Sequence, residues 1–403
     1  MRYHRFFLVF VALTLAAACQ STRVAPINTA SQPLALETDE RKLWDEAQRI
    51  ERRIEEVGLV YSNAELEAYV HSVAVGLVSN QLQNPDTELK VRVLRVPYRN
   101  ACTFPNGMFY ITTGMLACLD NEAELATVMG HELTHFIRRH TLKESRSAAN
   151  KNAWVNVLGG TSMLIGLGPI FGQLGSVVAT SAFLGYSREL ENEADEQGLE
   201  DLVQAGYDPS VVLKVFDYLH EEEALEGVTT KGRQSTHPEI QERQDHYREL
   251  LATRYAAAVG EPGRRINRDE YLGNIRQLLL DNALLDERLE RLEFARRGVD
   301  KYIARWPDGA PGYLSRGELC RRGRGPDAQA EAETAYREAV QLDPCYAEPR
   351  RELGLLCRAT GRPQEARDEF AAYLEIAPEA VDARTILRYV AELDAELNKP
   401  PLP

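Results

Sequence analysis

A mainly α (α+β) chain is predicted, built as a mixed domain with a small sheet followed by an all-helical repeat domain. Three observations predict it. Period-two alternation is confined to two short runs between residues 89 and 113, helical spacing fills most of the remainder, and a 34-residue period follows a glycine-bearing stretch near residue 260. The 403 residues, 44% apolar and 27% charged, suit a globular protein of about two or three domains. A formal net charge of −14 argues against nucleic acid or anionic lipid as the main partner, because both select a basic surface. The six cysteines, Cys19, Cys102, Cys118, Cys320, Cys345 and Cys357, form no C-x-x-C pair and are too sparse for a disulfide scaffold.

Taken in order, residues 1–5 carry two arginines and residues 6–18 form an uncharged apolar run. These are the two regions of a signal peptide over 1–18, and the run falls short of the roughly 20 residues needed to cross a bilayer. It ends Leu15-Ala16-Ala17-Ala18-Cys19, which resembles the lipobox of bacterial lipoproteins, with Ala16 where leucine is usual. Cys19 is therefore the expected lipid-attachment residue; Ala16-x-Ala18 also suits an ordinary signal peptidase, which leaves a soluble secreted form as the alternative. Gln20 after the cysteine implies, by the same resemblance, the outer membrane. Residues 19–39, rich in Ser, Thr, Pro and Ala, read as a flexible tether.

Residues 43–57 show helical spacing, and Ser62-Asn63-Ala64-Glu65 resembles a capping box opening a helix through Val78. Strands are expected over 89–96 and 108–113, the second following a Pro105-Asn106-Gly107 turn. Helices are expected over 122–140 and about 187–205, the latter closed by Gly206. Residues 256–265, with Gly260, Pro262 and Gly263, mark the expected boundary between a domain over 40–255 and a repeat domain over 266–403. In the latter, Ala332, Tyr336, Leu342 and Pro344 recur 34 residues on as Ala366, Phe370, Ile376 and Pro378. A weaker copy lies upstream at Ala295, Val299, Arg305 and Pro307. The pattern resembles the tetratricopeptide repeat, which implies a surface for polypeptide partners. A plain helical packing domain is the alternative.

The helix over 122–140 contains Gly130-His131-Glu132-Leu133-Thr134-His135. Histidines at i and i+4 share a helix face, so both rings reach one ion, and Glu132 between them is placed to act on water rather than to ligate. A catalytic zinc keeps three protein ligands and an open position, so the third ligand must come from elsewhere. In Ser187-Arg188-Glu189-Leu190-Glu191-Asn192-Glu193-Ala194-Asp195 the candidate is Glu191. Asp195, one turn on, is placed to accept the other ring N–H of a ligand histidine. Glu193 reads as part of a solvated acidic face.

The pairing of H-E-x-x-H with S-R-x-x-E-x-E-A-D resembles the gluzincin metallopeptidases, the family that includes HtpX and the CAAX prenyl protease. The likeness extends to Asn100-Ala101, Phe104-Pro105, Thr113-Gly114-Met115-Leu116, and His237-Pro238 with Arg243 six residues later, covering about residues 40–250. It implies a zincin-type metallopeptidase domain with one Zn2+ on His131, His135 and Glu191, and Glu132 as the catalytic base. It also implies that His237 and Arg243 sit on a loop over the metal, stabilising the oxyanion or, for His237, plugging the open position.

Residues 152–187 hold no charged residue and seven glycines. A single membrane crossing there would put Glu191 on the opposite side from His131, which a shared metal forbids. The segment reads instead as a mobile hairpin or lid beside the site, or as a buried helix pair. The expected function is a zinc endopeptidase of the bacterial periplasm, lipid-anchored to the outer membrane, that acts on unfolded or misassembled envelope polypeptides. By resemblance to repeat-bearing periplasmic members of the family, the outer-membrane barrel assembly machinery is a further partner. Substrate is expected beside an edge strand near residues 108–112, through main-chain hydrogen bonds. The competing reading is a repeat-bearing assembly factor with little proteolysis, which would have no need of an intact Glu132.

Overall fold

The computed structural model describes residues 24–27, 36–78, 81–82, 87–147, 186–226, 240–323 and 327–398. The chain divides into two compact units, Met1–Ile275 and Arg276–Pro403. In unit 1, α1 (Thr38–Glu56) buries Leu43, Ala47 and Ile54 at helical spacing. Helix α2 (Ala64–Val78) is capped by Asn63, one residue later than the capping box expected at Ser62, and the Asn63 side-chain oxygen accepts the Leu66 N–H at 3.0 Å.

Strands β1 (Lys90–Leu94), β2 (Ala101–Thr103) and β3 (Met108–Thr112) form one sheet in the order β1-β3-β2, with β1 parallel and β2 antiparallel to β3. At three residues β2 is too short to display an alternation in sequence. Its presence makes β3 the central strand, so the edge expected at 108–112 is not there. All five residues of β3 are buried, and β2 takes an edge instead.

After α3 (Thr113–Cys118), α4 (Glu122–Ile137) is capped by Asn121 and buries every residue. The helix expected to reach residue 140 stops short. Arg139 adopts φ 55°, and α5 (His140–Arg146) starts afresh beyond it. A left-handed arginine is strained and persists only where its surroundings over-determine it. Here the Glu40 carboxylate, 3% exposed, takes two hydrogen bonds from the Arg139 guanidinium, and the Ala25 carbonyl takes a third at 3.1 Å. The 19–39 segment is accordingly not a free tether throughout. The Ile27 N–H donates to the Ile137 carbonyl at 2.8 Å, and Val24 packs with Leu43 and Leu142. The apolar residues of this run, Val24 and Ile27 among them, recur at no regular spacing from which this docking could be read.

Helix α6 (Arg188–Gln204) lies against α4, and α7 (Val212–Glu226), α8 (Ile240–Ala252) and α9 (Arg268–Asn274) complete the unit. Residues 256–265, expected to mark the domain boundary, and the first residues of the expected repeat domain, through Ile275, are folded into unit 1. The Asp208 N–H donates to the Arg265 carbonyl at 3.1 Å, and the fully buried Tyr271 donates to the Leu116 carbonyl at 2.6 Å.

Unit 2 runs through α10 (Arg276–Arg288), α11 (Leu292–Arg305), α12 (Ala310–Arg322), α13 (Ala328–Leu342), α14 (Ala347–Ala359), α15 (Pro363–Ile376) and α16 (Ala383–Leu397). The aromatics of its 34-residue period, Tyr336 and Phe370, each pack against a glycine of the preceding helix. The Tyr336 ring occupies the space opposite Gly317, where a Cβ would come within 2.3 Å, and Phe370 does the same opposite Gly354, at 2.5 Å. A small residue on one helix admits an aromatic from the next, and both rings are fully buried. The unit is a tetratricopeptide-like helical array. Among the described residues no helix is long and apolar enough to cross a membrane. Cys19, His237 and nearly all of the uncharged 152–187 segment lie outside the described residues.

Candidate metal centre

The site is set by how closely α4 and α6 approach. A Cβ on Gly130 would stand 2.9 Å from the Gly198 carbonyl oxygen, and one on Gly198 would stand 2.7 Å from the His131 nitrogen, so the two helices touch backbone to backbone. Glycine in a helix interior costs about 1 kcal/mol relative to alanine, which makes each of these a mark of close approach. Glu191 lies two turns before Gly198 and is carried onto the histidine face of α4.

His131, His135 and Glu191 are all buried, and one donor atom from each lies within 4.8 Å of the others. The two Nε2 atoms are 3.1 Å apart, with Glu191 oxygens 3.5 Å from His131 Nε2 and 3.8 Å from His135 Nε2. Two donors each about 2.1 Å from a tetrahedral zinc stand about 3.4 Å apart. The donor set therefore fits such an ion in number, chemistry and spacing. Glu132 is buried beside His131 in the same helix.

Behind His131 stands a charged cluster. Asp195 Oδ1 is 2.9 Å from His131 Nδ1, and the Arg243 guanidinium grips Asp195 with Nε at 2.9 Å and Nη2 at 2.6 Å. Arg243 Nη1 also reaches Glu191 at 3.2 Å, and the Tyr247 hydroxyl donates to Asp195 at 3.1 Å. Burial alone would push the Asp195 carboxyl up, but the Arg243 charge and the His131 bond outweigh it and hold the group well below the usual carboxylate range. Arg243 belongs to α8 and is 8% exposed, so it reaches the site from a helix rather than from a loop, with Nη2 also 3.3 Å from His131 Nε2.

Behind His135 stands a group that the motif reading passed over. His140 Nδ1 lies 2.9 Å from His135 Nδ1, and His140 Nε2 lies 3.1 Å from Glu193. Glu193 also takes a hydrogen bond from Lys143 at 3.1 Å, so it is tied into the site rather than solely solvated. Burial is the main cause that lowers the His140 imidazole to about 4. Tyr186 stacks on the His135 ring at 3.9 Å between centroids and shares a hydrogen bond of 3.0 Å with Thr141. No pattern in the sequence announces Tyr186. Gly130 and Gly198, both inside helices of good formers, could have been read as a contact.

Residues 62–251 match the model of Peptidase family M48. The mitochondrial metalloendopeptidase OMA1 of Arabidopsis thaliana is 33% identical over 154 residues, 38% of this chain and 30% of that protein. A putative beta-barrel assembly-enhancing protease of Vibrio cholerae is 29% identical over 171 residues, 40% of this chain and 34% of that protein. Metalloprotease YcaL of Escherichia coli is 28% identical over 171 residues, 41% of this chain and 64% of that protein. The match thus spans about a third of the length of the first two relatives. The helix pair that brings His131, His135 and Glu191 together lies wholly within the matched residues, and unit 1 carries a Peptidase family M48 domain, a metallopeptidase domain.

Proposed function

We propose that the chain is a zinc-dependent endopeptidase of the bacterial cell envelope, acting on unfolded or misassembled envelope proteins, with the repeat unit binding partners. The observation that carries this reading is the convergence of His131 Nε2, His135 Nε2 and a Glu191 oxygen on one buried point, with Glu132 intact between the histidines. His131, His135 and Glu191 would hold the ion. When bound, zinc supplies Lewis-acid chemistry that lowers the pKa of water toward about 7 and polarises a carbonyl. The Glu132 carboxylate takes the proton of the attacking water and returns it to the leaving amine. Asp195 fixes the ring of His131, and Arg243 keeps Asp195 ionised. The edge position of β2 suits a substrate strand that pairs through its main chain.

The reading places Cys19 as the lipid-bearing mature N-terminus at the outer membrane, which Cys19→Ser would release into the soluble periplasmic fraction. The whole reading is tested by metal analysis of the purified protein together with cleavage of casein or unfolded porin. Cleavage should stop on chelation and return with added zinc. A protein that cleaves equally well after complete metal removal would overturn it.

A further inference from the structure

We infer that His140, with Glu193 behind it, is the positioning residue that sets the tautomer and orientation of the ligand histidine His135. The inference rests on the metal-site reading above and concerns residues to which no role in the site has been assigned. A histidine that binds a metal through Nε2 must carry its proton on Nδ1, and that proton needs an acceptor. For His131 the acceptor is the Asp195 carboxylate, 2.9 Å from Nδ1. For His135 the polar atom at that distance is a second imidazole nitrogen, His140 Nδ1.

Two ring nitrogens 2.9 Å apart require one proton between them, and the far side of His140 decides which ring owns it. A carboxylate accepts only, so Glu193, 3.1 Å from His140 Nε2, draws the His140 proton onto Nε2. His140 Nδ1 is then a bare acceptor, and the Nδ1–H of His135 donates to it. This leaves the His135 Nε2 lone pair facing His131 and Glu191. The tautomer of a metal ligand is thereby fixed across one intervening ring, by an acidic residue whose side chain is 37% exposed.

The fold holds this chain of contacts in place. His140 is 0% exposed, and it can turn back behind His135 because α4 ends at the left-handed Arg139, which Glu40 and the Ala25 carbonyl pin. Tyr186 closes the other face of the His135 ring, so the ring is constrained by stacking on one side and by the His140 bond at its edge.

The test is zinc affinity, measured by chelator competition, for the wild type, His140→Leu, His140→Asn and Glu193→Leu. His140→Leu removes the acceptor and should weaken zinc binding by about 10- to 100-fold. His140→Asn can offer its Oδ1 in place of Nδ1 and should bind close to wild type, a rescue that a purely space-filling role would not give. Glu193→Leu leaves His140 in place but frees its tautomer, and should fall between the two. Should His140→Leu fail to fold, Glu193→Leu and His140→Asn decide. In the zinc-loaded wild type, nitrogen-15 NMR should find His135 protonated on Nδ1 and His140 on Nε2. A zinc-loaded wild type with unchanged affinity in Glu193→Leu, or with His140→Asn as weak as His140→Leu, or with the reverse tautomers, would overturn the inference alone. A wild type that takes up no zinc would overturn the metal reading and this inference with it.

Discussion

Gly198 meets Gly130 with no side chain between them: a Cβ on Gly198 would fall 2.7 Å from the His131 backbone nitrogen and 2.8 Å from the Gly130 carbonyl carbon. This contact sets the distance between the helix that carries the two histidines and the helix that carries Glu191. Backbone cannot yield as a flexible side-chain tip can, so Gly198→Ala must push the helices apart. Overpacking of this kind costs about 1 to 3 kcal/mol. The variant should melt earlier and, where folded, lose its metal by dialysis under conditions in which the wild type keeps it. An unchanged zinc content would mean that Glu191 reaches the histidines by some other constraint.

Arg243 and His237 separate in their expected behaviour. Arg243 is buried against Asp195, and its removal takes the counter-charge from that buried carboxylate, which costs about 3 to 5 kcal/mol. Denaturant unfolding of Arg243→Ala should register that loss whether or not substrate is present. His237→Ala should leave stability alone and change turnover: upward if His237 plugs the metal, downward by about 100- to 1000-fold if it binds the oxyanion. No change in rate would remove His237 from the chemistry.

How far the sequence could be read depends on the range of each signal. The histidine pair and Glu191 were legible because ligand geometry imposes fixed spacing on a helix, and the 34-residue period was legible because Ala332 and Tyr336 recur as Ala366 and Phe370, all four fully buried. Strand β2 was not legible, being three residues long, and without it β3 passed for an edge. The end of α4 was missed because Arg139 and His140 are ordinary helix residues; the break comes from Glu40, some hundred positions away. Glu193 looked like a surface acid because its partner, His140, is brought to it only by that break.

The folded stretch beyond residue 256 changes how the repeats should be removed. Deleting residues 276–403 cuts where the chain divides and should leave a unit that cleaves a small generic peptide but handles a natural envelope substrate poorly. A short tether normally raises the concentration of captured substrate at the zinc to about the millimolar scale. Deleting residues 266–403 also removes Tyr271 and its bond to the Leu116 carbonyl, so that truncation should unfold unit 1. Circular dichroism and peptide hydrolysis of the two truncations side by side make the comparison. Equal loss in both would assign the repeats a supporting role for the catalytic unit.

In unit 2, Glu333 accepts hydrogen bonds from Arg362 at 2.6 and 2.9 Å and from Arg337 at 2.7 and 2.9 Å. The Arg362 bond is the largest of the causes that lower its carboxyl to about 2, below the ordinary 4.5. A carboxyl with a depressed folded-state value contributes stability above its unfolded value and loses it as pH falls through the folded one. The advantage of wild type over Glu333→Gln should therefore be full above about pH 5, shrink toward pH 2, and stay within about 1 kcal/mol because solvent screens the cluster. Thermal melts against pH at low and high salt would record it. A difference that grows on acidification would contradict the assignment.

The central claim is that unit 1 hydrolyses peptide bonds with Glu132 as the base at a zinc held by His131, His135 and Glu191. The most direct measurement pairs zinc content with cleavage of unfolded polypeptide at neutral pH, for wild type and Glu132→Gln prepared identically. The account predicts that both proteins carry zinc and that only the wild type cleaves, since the substitution spares the ligands and removes the proton acceptor. A Glu132→Gln protein that holds its zinc and cleaves as fast as the wild type would contradict it.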